Sequence, residues 1–175
     1  MKIIEDDNFL NKHQKEQISN RILNTNFPFY WSDYQVPGDN CPALIHVLLE
    51  RTVNGHIMES DKIVSPDFYF CKNILDTFCE KHNISYSKIY RACINLTFNL
   101  TFKYGKIHED HEFRHEQLIL YLNDSTGDTL IFKNKRKILK RIKAKQFKGV
   151  VFGKCLHAQE YPKKGRRVVL VITFS

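Results

Sequence analysis

Apolar positions change their spacing near residue 88. In "SPDFYFCKNILDTFCEKHN" (65–83), Phe68, Cys71, Leu75, Phe78 and Cys79 recur every three or four residues. That spacing gathers them on one stripe of a helix facing a core. Ser65 is the predicted cap and Pro66 suits the first turn. An earlier helix is predicted over 11–24, with Asn11 as a cap and Ile18 and Ile22 one turn apart. "FPFYW" (27–31) breaks it with a proline and presents four aromatics. The stretch 32–64 reads as irregular, punctuated by Pro37, Gly38, Pro42 and Gly55, although 43–49 is apolar enough to be ordered.

Beyond Lys88 the period becomes two. In "IYRACINLTFNL", Tyr90, Ala92, Ile94, Leu96, Phe98 and Leu100 alternate with Arg91, Cys93, Asn95, Thr97 and Asn99. That alternation predicts a strand. Further short strands are predicted over 118–122, 129–132, 150–152 and 168–174. Asn123-Asp124-Ser125 with Gly127, then Gly153, then Pro162 with Gly165 separate them. Helices first and short strands afterwards predict an α+β, mainly β fold, in which a helical layer packs on a sandwich or barrel. We divide one domain, 1–175, into a helical and loop layer (1–87) and a β core (88–175).

Composition agrees with one globular unit. The chain has 175 residues, 42% of them hydrophobic and 13% aromatic, enough to bury a sizeable core. Lys and Arg number 27 against 19 acids, so the net charge of +8 favours acidic partners without specifying a fold. Five cysteines, Cys41, Cys71, Cys79, Cys93 and Cys155, form no CxxC pair. They predict reduced, mostly buried thiols and a cytoplasmic protein. The start "MKIIEDDNFL" lacks a long apolar run, and no stretch approaches a membrane span, so neither a signal peptide nor a membrane partner is expected.

The densest chemistry lies in "YGKIHEDHEFRH" (104–115), which holds three of eight histidines. It is either a solvated polar loop or part of a metal site. On an extended segment His108 and Asp110 project to the same side. With one more imidazole they would make the two-His, one-carboxylate set of non-haem Fe(II) oxygenases, which leaves coordination positions open. His157, directly after an apolar run, is the best candidate. His111 and His115 lack the His-x-Asp spacing and read as rim or solvent-facing residues. Arg167 opens an apolar strand, where a buried guanidinium needs an anionic partner such as a dicarboxylate. Arg166 would face the other way.

The order His108-x-Asp110, "LILYLND", "TGDTLIF", "FKGVVF", His157, "GRRVVLVITF" resembles the 2-oxoglutarate- and Fe(II)-dependent oxygenases. Within them it is similar to the prolyl 4-hydroxylase and hypoxia-factor prolyl hydroxylase branch, and to short versions encoded by phages. The resemblance implies a double-stranded β-helix, a distorted jelly roll. It implies that His108, Asp110 and His157 ligate Fe(II). Arg167 would pair with the distal carboxylate of 2-oxoglutarate, with a one-residue slip to Arg166 left open, and Tyr121 would hydrogen-bond the same carboxylate. The implied reaction consumes O2 and 2-oxoglutarate, releases succinate and CO2, and hydroxylates an unactivated C–H of a peptide or protein. Ascorbate is a further candidate cofactor. The chain departs from the family pattern at Thr126-Gly127, where two glycines are common, and at Ala144-Lys145, in place of a Pro-Lys.

"KNKRKILKRIKAKQFK" (133–148) holds nine Lys or Arg and no acid. Ile138, Leu139, Ile142 and Phe147 interrupt it, which predicts a hairpin with an apolar face. It reads either as a solvated edge, where lysines discourage aggregation, or as a docking surface for an acidic protein or nucleic acid. Two alternatives follow: a non-catalytic basic nucleic-acid-binding protein, and a 2-oxoglutarate oxygenase acting on nucleic acid. Against the second, "RRVVLVITF" lacks the Arg-x-Asn-x-Thr-x-Arg signature of nucleic-acid dealkylases. A metal-binding cupin without oxygenase activity is a third reading, and it would not need the arginine.

Overall fold

The computed structural model of the chain describes residues 2–50 and 62–175. The predicted irregularity around Gly55 lies outside the described residues. The elements run β1 (Ile3–Asp6), α1 (Lys12–Gln17), a π-helical turn (Ile18–Ile22), β2 (Tyr30–Ser32), β3 (Ala43–Leu49) and α2 (Phe68–His82). Then come β4 (Ile89–Phe98), β5 (Glu116–Tyr121), β6 (Thr129–Asn134), β7 (Lys137–Ile142), β8 (Gly149–Gly153), β9 (His157–Gln159) and β10 (Arg166–Phe174). They form a seven-stranded sheet, β1-β8-β5-β10-β4-β3-β2, facing a three-stranded one, β7-β6-β9. All pairings are antiparallel. This is the expected jelly-roll architecture with helices on one sheet.

Strand parity explains the layering. On β10, Val168, Leu170, Ile172 and Phe174 pack with Cys71, Ile74, Leu75 and Phe78 of α2, while Val169 and Val171 join an inner cluster with Ile119, Ile131 and Phe152. The large sheet is thus apolar on both faces, one under the helices and one toward the small sheet. Gly149 is required at this junction: a Cβ there would sit 2.7 Å from the Phe9 ring and 3.0 Å from that of Phe78.

Three details differ from the sequence reading. Helix α2 is regular only from Phe68, with Asp67 at the N-cap position making no side-chain cap bond; in the turn before it the Ser65 hydroxyl accepts from the Asp67 amide at 3.2 Å and also pairs with His46 Nε2 at 2.8 Å. Asn83 closes α2 in the left-handed conformation, which asparagine tolerates. The first helix does begin at Asn11, whose side chain forms a capping box with Gln14, but after Gln17 it widens into the π turn. Finally, the N-terminal layer is not only helix and loop. It contributes β1, β2 and β3 to the large sheet; β3 is the apolar run 43–49 expected to be ordered, and β1 and β2 were not expected as strands.

All five cysteines are free, four of them buried. No described helix is long and apolar enough to cross a membrane.

Candidate metal centre

His108, Asp110 and His157 converge. One ligand atom from each lies within 4.8 Å of the others. Backbone pairing brings them together: the His108 amide donates to the His157 carbonyl at 3.0 Å, and the His157 amide returns the bond at 2.9 Å. The two imidazole centroids are 4.5 Å apart. Asp110 Oδ2 lies 3.5 Å from His157 Nε2, and Oδ1 lies 3.9 Å from His108 Nε2. Each ring is held from behind. His108 Nδ1 lies 2.9 Å from the Lys106 carbonyl, and His157 Nδ1 lies 3.0 Å from that of Cys155. A carbonyl only accepts, so each Nδ1 carries the proton and each Nε2 keeps its lone pair for the cluster. Burial, with His157 alongside, pushes the His108 imidazole down to about 4 against the opposing pull of Asp110, so it is neutral at neutral pH.

Arg91 on β4 completes this group. Its guanidinium donates to Asp110 Oδ1 at 3.0 Å. In the sequence Arg91 and Asn95 are only the alternate positions of a strand, with nothing to say what they face. Their side lines the cavity holding the cluster, together with Gln117, Thr129, Gln159 and Arg167. The signal was present in the strand's alternation; its polar parity faces an enclosed site and not bulk water.

Arg167 lies at the closed end, 2% exposed. Its Nε donates to the Gly127 carbonyl at 2.9 Å, one terminal nitrogen to Gln159 Oε1 at 3.0 Å and the other to Thr129 Oγ1 at 3.0 Å. The guanidinium sits 5.4 Å over the Tyr121 ring. Burial draws its pKa down, partly offset by Tyr121 and Asp128. Gly127 makes room for it, since a Cβ there would lie 2.5 Å from the Glu160 carbonyl oxygen and 3.0 Å from Arg167 Cδ. Arg166 is exposed, as strand parity requires.

The other expected residues take different places. Tyr121 is fully buried, but its hydroxyl donates to Thr129 Oγ1 at 2.6 Å and it does not line the cavity; it supports Arg167 from behind. His115, expected at the rim, is only 2% exposed, with Nδ1 held 2.9 Å from the Phe113 carbonyl. His111 stacks on Phe113 and pairs with Thr173 Oγ1 at 2.8 Å.

The donor set fits a divalent transition metal: two Nε2 lone pairs and one carboxylate oxygen, each fixed from behind. The closed end fits an anion, because Arg167 is a buried cation in no ion pair among the described residues.

No family model matches the chain, and no curated protein matches it in sequence. Solved structures match its fold. An oxidoreductase of the 2OG-Fe(II) oxygenase family from Burkholderia pseudomallei superposes with a TM-score of 0.74 at 14% identity, covering 99% of this chain and 84% of its own. A prolyl hydroxylase from Trichoplax adhaerens, solved with a peptide fragment of the hypoxia-inducible factor oxygen degradation domain, gives 0.62 at 13% identity over 98% and 82%. The non-haem α-ketoglutarate-dependent epimerase SnoN from nogalamycin biosynthesis gives 0.66 at 8% identity over 98% and 77%. The fold is therefore that of the 2-oxoglutarate/Fe(II) oxygenases, in line with the resemblance drawn from the motifs. At such identities the likeness is one of fold, and an epimerase and a hydroxylase share it.

Proposed function

We propose that the chain is an Fe(II)- and 2-oxoglutarate-dependent dioxygenase that hydroxylates an unactivated C–H on a peptide or protein, in the manner of a prolyl hydroxylase, with release of succinate and CO2. One observation carries the reading: a two-His, one-carboxylate cluster and a buried Arg167, in no ion pair among the described residues, line the same cavity. In this reading His108, Asp110 and His157 hold the iron. Arg167 binds the distal carboxylate of 2-oxoglutarate, helped by Thr129 and Gln159, which fix its fork. Bound iron and 2-oxoglutarate, with O2, supply the oxidising power. The protein's share is to bind the diacid, orient it and exclude water. The peptide preference leans on the Trichoplax prolyl hydroxylase neighbour, solved with a peptide.

Anaerobic addition of Fe(II) and 2-oxoglutarate tests the scheme. A weak visible absorption band is expected in the wild type and none in His108→Ala. A wild type without the band, or a band that persists in His108→Ala, rejects it. Peptides, free amino acids and nucleotides are then screened, with ascorbate present, for stimulated succinate release. Stimulation by a proline peptide supports the peptide reading, and stimulation by nucleotides alone overturns it.

A further inference from the structure

The nine Lys and Arg of 133–148 fall into two groups. Five are tied to acids. Lys140 and Lys148 contact Glu5 at 2.7 and 3.0 Å, Arg141 contacts Asp128 and Glu160, Lys143 contacts Asp128 at 3.1 Å, and Lys145 contacts Asp7 at 2.5 Å. The remaining four, Lys133, Lys135, Arg136 and Lys137, are exposed, and none is in an ion pair among the described residues. They surround the turn between β6 and β7.

Strand register fixes where this turn lies. Thr129, at the start of β6, touches Arg167. Two residues on, Ile131 is in register with His157. β6 then continues away from Arg167 to Asn134 and the charged turn. At about 3.3 Å per residue the turn is roughly 13–17 Å beyond the His157 row, on the side away from the closed end.

We propose that this turn docks an acidic stretch of the peptide or protein substrate, about four or five extended residues from the one that enters the cavity. The inference rests on the peptide reading above. Four like charges crowded within about one Debye length complement a short run of carboxylates, and none is paired with an acid among the described residues. A nucleic acid would need the positive track to continue along β7 and the residues after it, and there Glu5, Asp7, Asp128 and Glu160 neutralise it. Strand addition is disfavoured as well. Ile131 pairs with Lys140 and Phe132 with Ile138, so Leu139 is an unmatched bulge that interrupts the β7 edge.

The test uses the full-length, metal-free protein and fluorescence anisotropy. The probes are a labelled proline peptide with a flanking Asp/Glu run, the same peptide with Asn/Gln, and an oligothymidylate of matched charge. The acidic peptide is expected to bind at low salt, at least about tenfold more tightly than its amide version, and to weaken as NaCl screens the contact. A Lys133→Ser/Lys135→Ser/Arg136→Ser/Lys137→Ser variant with unchanged thermal unfolding should lose that binding about tenfold or more, and Lys163→Ser/Lys164→Ser should keep it. No binding of the acidic peptide, equal binding by the turn variant, or tighter binding of the oligothymidylate overturns the proposal. Because the readout needs neither iron nor turnover, failed docking in a protein that shows the Fe(II)–2-oxoglutarate band is distinct from intact docking in one that does not.

Discussion

The guanidinium of Arg167 has three neutral acceptors and, among the described residues, no carboxylate partner. Burying a cation this way is costly, and an entering diacid would offset the cost. Arg167→Met should therefore weaken 2-oxoglutarate binding at least about tenfold, the worth of a charged hydrogen-bonded pair, while leaving metal binding intact. Arg166→Met should change neither; isothermal titration of the metal-loaded protein with 2-oxoglutarate under anaerobic conditions separates the two. Arg91 acts on the other side. Its bond to Asp110 Oδ1 leaves Oδ2 turned to His157, so it is a positioning residue for the carboxylate. Arg91→Gln should lower affinity for Co(II) or Mn(II) about 10–100-fold and alter the Co(II) spectrum, with partial recovery in Arg91→Lys. Arg167 was legible in the sequence because a charged residue opens an apolar strand. Arg91 was not, because alternation alone cannot say whether a polar face meets water or a cavity.

Among elements, α2 carries the packing. Phe78 is fully buried, edge-on to Phe9 at 4.9 Å, and close to the Gly149 backbone of β8. Phe78→Ala should cost about 3–5 kcal/mol, read from urea unfolding, because the helix and sheet around it cannot collapse into the space. This stripe was plain in the sequence, as was β4, whose long run keeps a single period; β5, β6, β8 and β10 showed as apolar runs set off by turn residues. The basic hairpin was foreseen too, but with its apolar face in the wrong place. Ile138 and Leu139 are exposed, and of the residues in β7 only Ile142 is buried. The bulge at Leu139 shifts the parity there, and a shift of one residue exchanges the faces. β1 and β2, of four and three residues, are too short to show a period; the pairing partner makes them strands.

At the scale of the molecule, the chain's first strand and its basic hairpin hold each other. β1 lies on the edge of the large sheet, paired to β8 from Ile3–Phe152 to Asp6–Gly149. From it Glu5 reaches Lys140 and Lys148, while Asp7, just beyond, reaches Lys145. Burial would raise the Glu5 carboxyl, but the two lysines outweigh it and hold it below the usual carboxylate range. A depressed carboxylate stabilises the fold fully at neutral pH, and that contribution is lost as pH falls through its lowered folded value. Removing residues 2–7 should therefore act in three ways. It uncovers the β8 edge, exposes the apolar core surface that Ile3 and Ile4 cover, and leaves Lys81, Lys140, Lys145 and Lys148 without their acids. A lower Tm and salt-sensitive self-association through β8 are the expected outcomes, measured by calorimetry and sedimentation. Glu5→Gln should reproduce only the electrostatic part. Its Tm should match the parent's in acid and fall below it at neutral pH. If instead Glu5→Gln and the parent unfolded alike at every pH, Lys140 and Lys148 would count as free cations, and the distinction between the neutralised part of the basic run and its charged turn would weaken with them.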